Sequence, residues 1–297
     1  MAKQRRSLGG KVVAITGGAR GIGKATATAL VRKGCRVAIG DLDLALAEET
    51  AAGLGGGTIA LTLDVTDRAS FAKFLDETER QLGPVDVVVN NAGIMPVTAL
   101  VDESDASIKR QLDINVYGVL VGIQLAIERM RPRGAGHIVN LASQAGKTAL
   151  PGIATYSGTK HAVVGISEAT RAELRGSGLE VHCVMPTVVN TDLTAGLSQK
   201  LIPKVEAEDV ADEIVAALEL GRFDVYVPRS NAIISRFGPL LPRRASDAIA
   251  RLMKADKLMF EVDHGARQAY EERAAASEPG LDEASASSPE PAQRDAA

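Results

Sequence analysis

Between Val12 and Asp41 the chain reads VVAITGGARGIGKATATALVRKGCRVAIGD, and few architectures accommodate that run. The apolar segment Val12 to Ile15 has the length and branching of a fully buried strand. Gly17, Gly21 and Gly23 then stand where side chains would block close approach to a turn. Lys24 to Arg32 carries the helix formers Ala25, Ala27, Ala29 and Leu30, and Gly34 supplies a stop. A second β-branched run, Val37 to Ile39, closes on Asp41. The unit is strand, glycine turn, helix, strand, with an acid at its end.

Such a turn suits a dinucleotide. Bare glycines let backbone N–H groups approach a pyrophosphate, and the helix N-terminus adds its dipole. Asp41 stands 18 positions beyond Gly23, near the spacing at which an acid meets an adenosine ribose. Taken alone, the same residues also describe a tight βα turn with a solvated strand end, so the rest of the chain decides.

The rest alternates strand and helix. Strands are expected at Thr58 to Leu63, Val85 to Val89, His137 to Leu141, Leu179 to Met185 and Phe223 to Val227. Helices are expected at Leu42 to Ala52, Ser70 to Gln81, Ser104 to Met130, Ala154 to Arg175 and Glu208 to Leu220. Alternation of this regularity implies a parallel sheet covered on both faces through right-handed crossovers. From Ser277 the chain turns to Ser, Ala, Pro, Glu and Asp, a composition expected to stay disordered.

Composition narrows the class. Hydrophobic residues make up 45% of the 297 but aromatics only 3%, so the core must be aliphatic, as in a parallel sheet. A net charge of −3 offers no basic field for nucleic acid. No apolar stretch is long enough to span a bilayer, and the start, MAKQRRSLGGK, lacks the apolar core of a signal peptide. Cys35 and Cys183, far apart on expected strands, read as buried free thiols of a cytoplasmic protein. The four histidines show no ligand spacing, so no metal site is expected and they read as structural or surface residues. Lys3, Arg5 and Arg6 read as a solvated, mobile start.

Three further motifs fall at carboxyl ends of strands, where an open α/β sheet binds its ligands. Asn90-Asn91-Ala92-Gly93 ends the strand from Val85, Ser143 follows the strand from His137, and Tyr156-Ser157-Gly158-Thr159-Lys160 opens the next helix. Residues four apart share a helix face, so the Tyr156 hydroxyl and the Lys160 ammonium can point the same way.

With these in register the chain resembles the short-chain dehydrogenase/reductase family over roughly Lys11 to Pro228. TGGARGIG, Thr16 to Gly23, is similar to the family's TGxxxGxG turn; NNAG matches at Asn90 to Gly93; Tyr156 and Lys160 match YxxxK, with Ser143 thirteen residues upstream. Asn115 in DINVYG falls where the family keeps its fourth catalytic residue, and Asp64-Val65 resembles the pair that flanks adenine. One departure is visible: the family's Pro-Gly after the sixth strand reads Pro186-Thr187.

The resemblance implies a doubly wound Rossmann fold with a seven-stranded, mainly parallel sheet and helices on both faces. It places a dehydrogenase domain at residues 8–228, a helical C-terminal extension at 229–276 and a disordered tail at 277–297. It implies a small-molecule alcohol or ketone substrate and hydride transfer with NAD, or NADP. The catalytic set would be Asn115, Ser143, Tyr156 and Lys160. The cofactor would lie against Gly17, Arg20, Gly21, Ile22, Gly23, Asp41, Leu42, Asp64, Val65, Asn91, Ala92, Gly93, Tyr156, Lys160, Pro186, Val189 and Thr191. Tyr156 would exchange the proton, Ser143 would hold the substrate oxygen, Lys160 would hold the nicotinamide ribose, and Asn115 would bend its helix and hold a water.

A free phenol has a pKa of about 10, too high for a base near neutrality. A neighbouring ammonium and a bound nicotinamide cation both favour phenolate, and lowering the pKa by roughly 3 units takes about 4 kcal/mol. Asp41 should repel a 2′-phosphate and favour NAD, while Arg20 pulls the other way.

Two expectations concern surfaces. The helices over Ser104 to Met130 and Ala154 to Arg175 carry Val116, Val119, Leu120, Val121, Ile123, Val163, Val164 and Ile166, more than one stripe, so an apolar face is left for a homodimer or homotetramer. Beyond Val227, Ile233, Ile234, Phe237, Leu240 and Leu241, followed by Ile249, Leu252 and Met253, read either as core packed on the body or a partner subunit, or in part as a wall over the cleft with Leu193, Leu197, Leu201 and Ile202. Such a wall suits a lipophilic secondary alcohol or ketone, and could also touch a membrane surface. A nucleotide-binding regulator without turnover is the alternative, against which the intact Ser143–Tyr156–Lys160 set argues.

Overall fold

In the computed structural model, which describes residues 5–196, 205–237, 242, 244 and 263–276, the seven β-branched runs become seven strands. They are β1 (Val12–Thr16), β2 (Arg36–Asp41), β3 (Ile59–Thr62), β4 (Val87–Asn90), β5 (Gly136–Leu141), β6 (Leu179–Pro186) and β7 (Asp224–Val227). The sheet runs β3-β2-β1-β4-β5-β6-β7. Every pairing is parallel, from Val12 opposite Arg36 to Pro186 opposite Val227, so the sheet is wholly rather than mainly parallel. The order reverses between β1 and β4, which opens a crevice at the carboxyl ends of those two strands.

The helices are α1 (Gly21–Arg32), α2 (Leu44–Leu54), α3 (Arg68–Leu82), α4 (Asp105–Leu112), α5 (Gly118–Met130), α6 (Ala154–Glu173), α7 (Ala207–Leu220), α8 (Asn231–Phe237) and α9 (His264–Ala276). Alternate strand residues feed two cores, as the period of two demands. Val13 and Ile15 pack with Leu30, Ala47 and Ile214 under α1, α2 and α7. Val12 and Ala14 pack with Phe71, Leu75, Val121 and Val163 under α3, α5 and α6. Both cysteines are free and buried. Burial pushes the Cys35 thiol up to about 11 and Cys183 up to about 12, so neither is a nucleophile near neutrality.

Three features differ from the sequence reading. The helix expected over Ser104 to Met130 is interrupted by a π-turn, Asp113–Tyr117, between α4 and α5. Arg5 and Arg6 are anchored rather than free: Arg5 pairs with Glu219 at 2.9 Å and Arg6 with Glu180 at 2.6 Å. Most of the apolar residues counted toward an assembly face serve the fold, since Val119, Val121, Ile123, Val163 and Val164 are buried. What stays exposed on the α4–α5 side is Leu112, Tyr117 and Leu120. Among the described residues no helix is long and apolar enough to cross a membrane.

Candidate active site

The crevice holds a cavity of about 950 Å³ that runs from the glycine turn past β4, β5 and β6 to α9. Its cofactor-shaped end begins at the turn itself. Gly17 has φ +62°, and a Cβ there would stand 3.0 Å from the Ala92 backbone. α2, α3 and α4 are capped by Asp43, Asp67 and Ser104 side chains, but α1 has no side-chain cap and no acid in its first turn. Its first N–H groups therefore remain available to an anion. Gly23 plays a different part from the one the pattern suggested. It does not line the cavity; a Cβ on it would lie 2.2 Å from the Gly17 carbonyl, so this glycine lets helix meet turn.

Neighbouring residues brace this end. The Asn91 amide donates to the Thr16 and Gly17 carbonyls at 2.9 Å each. Asp41 accepts from the Ala19 N–H at 3.1 Å and from the Asp43 N–H at 3.2 Å. Arg20 is drawn to Asp43 at 2.8 Å and lies 4.0 Å from Asp192, so acids already oppose its charge. Asp64 turns one carboxylate oxygen to Thr66 at 2.7 Å, while Val65 forms cavity wall. Ile22, Leu42, Ala92, Gly93, Pro186, Val189 and Thr191 also line the cavity, as expected.

At the other end four side chains meet. Ser143 follows β5, accepts from the Ala145 N–H at 3.1 Å, and lies within hydrogen-bonding reach of the Tyr156 phenol. Ser143 is thus a cap and a cavity group at once. Tyr156 and Lys160 sit one turn apart on α6, with the Lys160 ammonium 5.6 Å from the centre of the Tyr156 ring. That ammonium donates to the Leu141 carbonyl at 2.7 Å. Asn115 lies in the π-turn, fully buried and behind the cavity rather than in its wall. Its amide oxygen accepts from the Ile94 N–H, and its nitrogen donates to the Ile94 carbonyl, both at 2.9 Å, and to Thr159 at 3.1 Å. The Asn115 side chain therefore ties the NNAG segment to the Tyr–Lys helix.

Burial governs the proton affinities of this pair. It pushes the Tyr156 phenol above its ordinary 10, against the lowering from Ser143, and the nearby Tyr270 adds to the rise. Burial also pushes Lys160 down to about 8. The ammonium lies over the Tyr156 ring and donates to the Leu141 carbonyl, and desolvation outweighs these contacts.

Thr187, where glycine was expected, fits without disturbing the turn: its N–H donates to the Val227 carbonyl at 2.9 Å, and its hydroxyl is buried without a partner.

A family model described as short chain dehydrogenase matches residues 11–202. The chain belongs to that family of NAD(P)-dependent oxidoreductases. Among curated members it is 31% identical over 271 residues to 17-beta-hydroxysteroid dehydrogenase 13 of Rattus norvegicus, covering 89% of each chain. It is 37% identical over 221 residues to a sorbitol dehydrogenase of Cereibacter sphaeroides, covering 72% of this chain and 85% of the other. Among solved members, a short chain dehydrogenase/reductase from Burkholderia phymatum in complex with NAD superimposes with a TM-score of 0.73 at 26% identity. That match covers 78% of this chain and 94% of the other.

The wall of this dehydrogenase's cavity includes residues the sequence did not single out. Tyr270, Arg273 and Ala274 of α9 line it, with Met95, Leu150 and Ile153. Tyr270 accepts the Met95 N–H at 2.7 Å. Arg267, one turn earlier and almost wholly buried, donates to the carbonyls of Leu193 at 2.9 Å, Ala195 at 3.3 Å and Met95. A usable signal existed: Arg267, Tyr270 and Ala274 recur at i, i+3, i+7. Of the wall expected from 230–260, Ile233 is exposed, while α8 reaches the cleft edge where Ser235 donates to Gln144 at 2.9 Å. Leu193 lines the cavity; Leu197, Leu201, Ile202, Leu240, Leu241, Ile249, Leu252, Met253 and the tail 277–297 lie outside the described residues.

Proposed function

We propose that this protein uses NAD to interconvert a lipophilic secondary alcohol and its ketone. The carrying observation is the cavity end beside Tyr156, walled by Met95, Leu150, Ile153, Leu193 and Tyr270. Among the described residues the cations lining the cavity are all engaged: Arg20 with Asp43, Arg273 with Asp192 at 2.9 Å, and Lys160 with the Leu141 carbonyl. Acids already oppose both arginines, and the apolar surface beside Tyr156 favours a bulky apolar substrate over a phosphate or carboxylate. The match to the hydroxysteroid dehydrogenase over 89% of both chains supports the same class.

Bound NAD supplies the hydride acceptor or donor. The chain's own groups do the rest. The uncapped start of α1 and the Gly17 turn hold the pyrophosphate, and Asp41 accepts from the adenosine ribose. Ser143 donates to the substrate oxygen and aligns it with the Tyr156 phenol. Tyr156 takes or gives the proton, and Lys160 reaches the nicotinamide ribose. Asn115 holds the backbone of Ile94 and so the shape of the pocket floor.

Residues 8–228 form the dehydrogenase domain in this reading, with 229–276 as a C-terminal extension of which α9 lines the substrate side. Exposed Leu112, Tyr117 and Leu120 support assembly as a dimer or tetramer through the α4–α5 side. Free buried thiols suit the cytoplasm.

Assaying steroid-like, terpenoid and fatty alcohols against sorbitol and short alcohols with NAD⁺ tests the reading. Higher kcat/KM for the lipophilic set is expected; higher kcat/KM for the polar set overturns it.

A further inference from the structure

A second convergence of lone pairs lies at the opposite end of the same strands. His137 on β5 is the register partner of Glu180 on β6, and His182 follows two positions on, along the same face. Strand pairing makes this set, so the 45-residue separation of the two histidines hid it from a reading of ligand spacing. His137 Nδ1 stands 3.1 Å from His182 Nε2 and 3.9 Å from a Glu180 oxygen, and the three ligand atoms lie within 4.8 Å of one another.

Two further observations point to a cation. His182 Nδ1 faces the Arg222 carbonyl at 2.7 Å, where only an N–H fits, so the Nε2 lone pair is directed into the cluster. A ring nitrogen donating to a carbonyl is how proteins orient a metal-bound imidazole. Glu180 gives one oxygen to Arg6 at 2.6 Å, while its other oxygen is buried with no hydrogen-bond partner. A simple His–His hydrogen bond accounts for the two rings but leaves that oxygen unexplained.

We propose that His137, Glu180 and His182 bind a divalent cation of the zinc class. Two imidazoles and one carboxylate suit Zn²⁺, with Co²⁺ or Ni²⁺ as substitutes, and disfavour the all-oxygen cations Mg²⁺ and Ca²⁺. Nitrogens on one tetrahedral Zn²⁺ lie about 3.4 Å apart at the usual bond length, near the separation found here. Binding requires His137 to carry its proton on Nε2 and leaves a fourth position toward the part-exposed side of Glu180. The cation would staple β5 to β6 and, through the Arg222 carbonyl, to the segment leading into β7. This site is independent of hydride transfer.

Zn²⁺ titration of the NAD-loaded protein against a chromophoric chelator tests the proposal, with thermal unfolding in parallel. One Zn²⁺ per chain is expected, with a rise in Tm. His137→Asn and Glu180→Gln should each weaken binding by at least about 100-fold, beyond the loss typical of outer-sphere changes. Arg6→Ala should tighten it by removing a competing cation, and alcohol oxidation should be unchanged in Glu180→Gln. Should His137→Asn fail to fold, Glu180→Gln alone decides. Uptake that survives Glu180→Gln, or no uptake at about 100 µM Zn²⁺, overturns the proposal.

Discussion

Arg267→Met separates the closing helix from the Met95 and Leu193 segments it leans on. Arg267 is 1% exposed, yet it carries a full charge, donates to three backbone carbonyls and pairs with Glu271 at 2.6 Å. Methionine keeps most of the aliphatic stem but removes every donor and the guanidinium that lies 4.7 Å from the Tyr270 ring centre. Glu271 is 42% exposed and turns to water, but the three carbonyls lose a charged partner. Hydrogen bonds to charged groups contribute about 1.5–3 kcal/mol each, offset in part by the desolvation of the guanidinium itself. A net loss of about 3–5 kcal/mol follows, or roughly 10² to 10⁴ in the docking equilibrium of α9.

Because α9 rests on the Leu193 and Met95 segments rather than on the sheet, the loss should be local. Hydrogen exchange of α9 amides should accelerate by about that factor while β1 and β4 stay protected. KM for a bulky ketone should rise at least about tenfold, with kcat/KM for 2-propanol within about twofold. Unchanged protection in α9 would refute the docking role, and a fall across the whole sheet would refute its locality.

Tyr156→Phe should lower kcat by at least about 10²-fold while the Kd for NAD⁺ stays within about twofold; a tenth of the activity remaining would refute the proton role. Burial pushes Lys160 down from 10.5 to about 8, so between those values the unfolded chain binds the extra proton and stability rises with pH. That rise amounts to about 3 kcal/mol, and the urea stability of wild type relative to Lys160→Met should show it from pH 8 upward; a flat difference refutes it. Asp41→Ala should raise the NADP⁺/NAD⁺ ratio of kcat/KM by at least about tenfold, read by steady-state kinetics, although Arg20 stays held by Asp43. Leu120→Glu should convert the assembly to monomers in light scattering, and a wild-type monomer at micromolar concentration would remove the premise.

Buried strands announce themselves. Val12 to Ile15, Val37 to Ile39 and Val87 to Val89 are each apolar on both sides because a parallel sheet covers both faces. Glycine and Asp41 mark the cofactor turn because only their chemistry fits there. What stayed hidden has no local signature. His137 and His182 meet through register. The wall from α9 depends on Arg267, a residue type expected in water, whose burial is decided by carbonyls some 70 residues away in sequence. Helical spacing gives the separation of Tyr156 and Lys160, but the ammonium's direction is set by the Leu141 carbonyl on another element.

The π-turn at Asp113–Tyr117 has a consequence for how this chain can vary. Each helical residue advances the winding by about 100°, and a π-turn holds one residue more than the α-helical path needs. The turn absorbs that surplus, so the helix on either side of it keeps its face. Val119, Ile123 and Met130 meet the sheet while Leu120 and Gln124 look outward. Removing one residue there would close the turn into regular α-helix and leave α5 facing as it does, but would unseat Asn115 from Ile94. A single deletion within α5, which holds no surplus, would instead turn every later residue by about 100° and send core aliphatics outward.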